Sequence, residues 1–136
     1  MKTETNMCAP FTYVHVYTGS DGESHIDRLD IAMSTVNFAP PAPPLDLSEP
    51  INASQVNILR LSPEWQGEPG DQGEWHNSPV RQWLFYLAGT MILEVSDGSS
   101  VSLSPGSVVL IDDSTGKGHR DRLTGNTEVI IAAARE

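Results

Sequence analysis

Between Trp75 and His119, three short apolar runs (Trp83–Ala88, Met91–Val95 and Val108–Ile111) are separated by Gly, Asp and Ser punctuation. Runs this short, bounded by turn residues, have the rhythm of antiparallel strands joined by tight turns rather than of helices. Two histidines, His76 and His119, bracket the stretch, with Gln82 on the second strand in between. Strand pairing in a small barrel brings such sequence-distant side chains together in its interior. The interior is therefore the expected working site.

The rest of the chain fits the same pattern. Met1–Pro10 reads as a loose terminus and Phe11–Tyr17 as a first strand of alternating bulky β-formers. The turn signal Gly19–Gly22 follows. Glu23–Ala32 alternates polar and apolar residues; Ile26, Leu29 and Ala32 also fit a helical spacing, but the short length and the preceding turn favour a strand. Asn37–Pro50 is proline-rich, so it lacks amide donors and is excluded from a central strand or a helix. It reads as an extended arm anchored by Phe38 and Leu45. Gln55–Leu61 is a further strand, Ser62–Gly73 a polar loop around Trp65, and Glu128–Ala133 a terminal strand. Many short strands with regular turns predict an all-β sandwich or barrel.

Charge narrows the function. With 18 acidic against 8 basic residues the net charge is −10, which repels phosphate backbones and argues against nucleic acid. No apolar run approaches membrane-spanning length, and the first residues carry no apolar signal segment. A single cysteine, Cys8, rules out an intramolecular disulfide and fits a reducing, cytoplasmic setting. At 136 residues one domain with a proper core is expected, and a small molecule is the expected partner.

The order of these residues resembles the cupin superfamily, small jelly-roll barrels in which two motifs surround an interior metal site. In the register of the first motif stand His76, Ser78, Gln82 and Gly89; the second is Pro105-Gly106 leading to His119. The string Thr115-Gly116-Lys117-Gly118-His119 is similar to that of a subgroup of small single-domain cupins, as are Asp21–His25 and Pro40–Pro44. The resemblance spans roughly Gln55 to Ala133. It implies a cupin-type double-stranded β-helix over 1–136: N-terminal strands and the proline-rich arm over 1–54, and a barrel with both motifs over 55–136. Cupins commonly pair through sheet edges, so a homodimer is implied, with Phe11–Tyr17 able to supply an exchanged edge. The superfamily includes dioxygenases, isomerases, decarboxylases, cyclases and sugar-binding proteins, so the fold does not fix the function. Ser78 stands where the motif has a second histidine, and Gln82 where glutamate is more usual.

Two chemistries remain open. His76, Gln82 and His119 can hold one divalent ion (Zn, Mn, Fe or Ni) with an open position for Lewis-acid work; no organic cofactor is implied. Without a metal, the two histidines can serve as general acid and base. Asp113, more than Asp112, is placed to orient an imidazole, although aspartates before a turn also serve simply as caps. Alternation puts Gln82, Leu84 and Tyr86 on one face, so Tyr86 is expected to line the cavity. His25 reads as a surface histidine and His15 as a hydrogen-bonded core or interface residue. Lys117 and Arg120 are solvated charges or guides for an acidic ligand. The expected function is lyase-, isomerase- or cyclase-type chemistry on a hydrophobic, polyketide-like or aromatic molecule. The alternatives are a metal-dependent dioxygenase and a ligand-binding protein without catalysis.

Overall fold

The computed structural model describes residues 5–65 and 73–136. Ten strands make up its regular structure: β1 (Thr5–Thr18), β2 (Ser24–Val36), β3 (Leu45–Ser48), β4 (Gln55–Leu61), β5 (Gln82–Ala88), β6 (Met91–Val95), β7 (Ser100–Leu103), β8 (Val108–Asp112), β9 (His119–Leu123) and β10 (Val129–Arg135). There is no helix among the described residues, and so none long and apolar enough to cross a membrane.

Seven strands form one sheet in the order β3-β2-β1-β8-β5-β10-β4, and three form the other in the order β7-β6-β9. The expected all-β fold is present as two layers. A closed barrel is not present among the described residues, where the large sheet ends at β3 on one side and β4 on the other and the two sheets share no strand. The large sheet supplies Val16, Leu84, Tyr86, Val109, Ile111 and Ile131 to the core, and the small one Met91, Leu93, Val95, Val101, Leu103 and Leu123. Burying these side chains, at roughly 1.5–3 kcal/mol each, drives the layers together. The space between the sheets is thus filled by side chains.

Several boundaries differ from the sequence reading. The loose terminus over Met1–Pro10 is corrected: β1 begins at Thr5 and pairs Thr5 with Val36 of β2, because β2 is also longer than expected and gives those residues a partner. Residues 1–4 lie outside the described residues. The proline-rich arm contains the short strand β3, which pairs with β2 and occupies a sheet edge, the place where neighbouring prolines are tolerated. Of the Ser62–Gly73 loop, residues 66–72 lie outside the described residues, and Trp65 is exposed. The strands β7 and β9 were not anticipated.

Candidate metal centre

His119 opens β9, whose inward positions are His119, Asp121 and Leu123. The first two place an imidazole and a carboxylate at one end of the space between the sheets. His76 reaches the same place as a one-residue extension of the small sheet. It exchanges two backbone hydrogen bonds with His119, each 2.8 Å, in an isolated antiparallel bridge. Residues directly opposite in such a pair project to the same face, and the two rings meet edge to face with centroids 4.4 Å apart.

Gly118 permits this approach. Its φ is +83°, and a Cβ there would collide with the carbonyl of His76. The loop leading to His119 is held from the other side by Asn77, whose amide lies 2.9–3.2 Å from the carbonyl oxygens of Asp113, Thr115 and Gly116.

Hydrogen bonds fix both rings. His119 Nδ1 lies 2.6 Å from Asp113 Oδ2, and His76 Nδ1 lies 2.8 Å from the carbonyl oxygen of Glu74. A carbonyl and a carboxylate accept, so both rings carry their proton on Nδ1 and present an Nε2 lone pair. These lone pairs converge on Asp121: its Oδ2 is 3.5 Å from His76 Nε2 and 3.8 Å from His119 Nε2. Both separations are long for hydrogen bonds. Histidine binds ions at about 2.1 Å, which spaces neighbouring ligand atoms roughly 3–3.5 Å apart. One ligand atom from each of His76, His119 and Asp121 lies within 4.8 Å of the others, so the three form a group able to hold a metal ion.

Charge supports that fit. Asp113 is fully buried and Asp121 nearly so, and among the described residues neither has a lysine or arginine partner. Two buried carboxylates without a lysine or arginine partner among the described residues place negative charge away from water, which is costly unless a cation or a proton offsets it. Asp121 also raises the proton affinity of His76 above that of an ordinary histidine, with the Glu74 carbonyl adding to the effect. Protons and a cation therefore compete for one place. Tyr86 is buried nearby; desolvation, and secondarily the charge of Asp121, push its phenol far above the ordinary range, so it stays protonated. The centre opens outward through His76, whose side chain is 42% exposed against 7% for His119. Beside it Trp75 is exposed and lies under the Arg120 guanidinium at 4.4 Å.

Of the residues the sequence singled out, His76, His119, Asp113 and Tyr86 gather here. Asp121, which sequence reasoning missed, supplies the carboxylate. Its signal was available, since a residue two positions after His119 on a strand shares its face. Gln82 makes no side-chain hydrogen bond among the described residues. It lines a depression of about 230 Å³ with Glu49, Asn52, Arg81, Trp83 and Arg135. Asp112 faces Arg81 and, at 3.8 Å, His15, which stacks on Tyr17. His25 is held between Asp21 and Asp97. Lys117 pairs with Glu23 and Arg120 with Glu94, so both charges are taken up within the chain.

No protein family matches the chain, and no curated protein does. Among solved structures it is similar to protein NMB1881 from Neisseria meningitidis, at 21% identity and a TM-score of 0.42 over 64% of this chain and 77% of that one. That partial likeness says nothing of the site.

Proposed function

We propose that the chain is a cupin-type enzyme acting on a small organic molecule at a divalent metal held by His76, His119 and Asp121. One observation carries this reading: two imidazole Nε2 atoms converge on a buried carboxylate that, among the described residues, no lysine or arginine pairs with. Asp121 supplies the anionic ligand that two histidines and a glutamine lack, and so strengthens the metal reading over the metal-free one.

The chemistry is lyase-, isomerase- or cyclase-type. A bound divalent ion supplies Lewis acidity at a carbonyl or enol oxygen. Asp113 keeps the His119 ring in one tautomer. Tyr86 retains its proton, so its phenol can serve as a hydrogen-bond donor beside the centre. The substrate enters on the His76 side, where the exposed indole of Trp75 offers a flat apolar surface suited to an aromatic or polyketide-like molecule. A second copy of the chain covers the outer face of the large sheet, making the protein a homodimer.

The test is metal content after the chelated protein is equilibrated in turn with Zn, Mn, Fe and Ni. The wild type is expected to hold about one ion per chain, and His119→Ala and Asp121→Ala to lose it. A wild type that stays free of metal in all four would overturn the reading and return the histidines to acid–base work. A second reading, an iron-dependent dioxygenase, is favoured by the donor set, because two histidines and one carboxylate with open positions suit ferrous iron. Oxygen consumption by the iron-loaded protein with aromatic substrates separates the two.

A further inference from the structure

The proton that orients Asp113 comes from a residue far away in the chain. Ser24 opens β2 and is fully buried; its Oγ lies 3.1 Å from Asp113 Oδ2, the same oxygen that His119 Nδ1 approaches at 2.6 Å. These are the only two hydrogen bonds the Asp113 carboxylate receives among the described residues, and its Oδ1 is buried without a partner. Two donors on one oxygen fix the rotation of the carboxylate, and the carboxylate fixes the ring. With His119 alone, the group could turn about its Cβ–Cγ bond and present either oxygen.

Ser24 is itself held in place. Its amide donates to Ser96 Oγ at 2.8 Å. The turn before it grips the loop before His119: Thr18 Oγ donates to Thr115 O at 2.8 Å, and Lys117 N donates to Gly22 O at 3.1 Å. The Glu23–Lys117 ion pair and the His25–Asp97 contact flank the same junction. The β1–β2 hairpin is therefore braced against the centre rather than appended to it.

The geometry points to Ser24 as a positioning residue of the metal centre, acting through Asp113 on the orientation of His119. This rests on the metal reading above and deepens it: the N-terminal hairpin sets how tightly the ion is held. Hydrogen-bond partners one step behind a metal ligand typically carry ten- to a hundredfold in affinity, and Ser24 stands one step further back.

The experiment titrates the full metal-free chain with Co2+, reading both the dissociation constant and the visible absorption of the bound ion. The proteins are the wild type, Ser24→Ala, Asp113→Asn and the double variant. Ser24→Cys, which nearly keeps the side-chain volume, is added because the site is buried and the alanine variant can misfold. Ser24→Ala and Ser24→Cys are expected to weaken Co2+ binding about tenfold and to shift the absorption bands. In the Asp113→Asn background the serine change should cost almost nothing more, since a residue acting only through Asp113 loses its route. A structural role predicts the opposite: additive losses, or lower thermal stability with unchanged affinity and spectrum. Either of those results overturns the proposal and leaves the metal centre standing. A wild type that binds no Co2+ removes the metal reading and this inference together.

Discussion

At Gly118 a hydrogen in place of a Cβ lets two chain segments meet, and the bridge between His76 and His119 depends on it. Gly118→Ala combines a left-handed backbone, costing about 1–2 kcal/mol for a residue with a Cβ, with a collision against the His76 carbonyl. Urea unfolding is expected to show a loss of at least about 1 kcal/mol, together with weaker zinc binding. Wild-type stability and affinity in this variant would sink the account. The glycine and the histidines were legible in the sequence, the glycine within the Thr115–His119 string and the histidines as the ends of the strand-rich stretch. The partner of that glycine, the carbonyl of His76, was not, because it lies more than forty positions earlier in the chain. Asp121 escaped for a different reason: HRDRL reads as polar, and an inward carboxylate contradicts the usual apolar-in pattern.

Strands with ordinary apolar patterning were legible. Met91–Val95 and Gln55–Leu61 are bounded as the sequence reading places them; β5 and β8 differ by one residue at one end, and β10 by one residue at its start and two at its finish. The polar strands β7 and β9 were not. The β1–β2 hairpin carries a separate pH-sensitive element. His25 Nδ1 lies 2.8 Å from Asp97, and its Nε2 3.0 Å from Asp21. Asp21 first, then Asp97, raises the proton affinity of His25 above its ordinary 6.5. Asp21 is itself lowered, chiefly by its hydrogen bond to His25, and Asp97 is lowered by hydrogen bonds from Ser99 and His25 that outweigh its desolvation. A raised histidine contributes stability that is fully present below its ordinary value and lost as pH rises through the folded one. The lowered carboxylates contribute stability present above about 3.9 and lost as pH falls through their folded values. The cluster therefore stabilises most between about pH 4 and 6.5. The difference in Tm between wild type and His25→Gln should peak in that window and shrink above it; a difference independent of pH would count against the pairing.

Across the whole molecule, the outer face of the large sheet is the least expected surface of so acidic a chain. Register places Val56, Ala134, Trp83 and Leu110 in one row, and Ile58, Ala132, Phe85 and Val108 in the next. Tyr13 packs on Trp83 at 4.8 Å, and Val56 and Ile58 are each 64% exposed on the edge strand β4. Leu110 and Ala134 in these rows are already buried within the chain, so the exposed apolar surface centres on Val56 and Ile58, and that is the part a partner subunit covers. Light scattering should give twice the 14.8 kDa chain mass, and Val56→Asp combined with Ile58→Asp should bring it toward one chain. A monomeric wild type refutes the dimer. The all-β class, most strand positions, the two histidines and the aspartate behind one of them are readable along the chain, because hydrophobic period and turn chemistry are local. The tertiary pairing set the rest: two open layers, β1 beside β8, Asp121 against both histidines, and Ser24 and Asn77 bonded to Asp113. Those outcomes depend on which strand edges pair across the fold, and strand pairing brings together residues whose separation in sequence holds no trace of the contact.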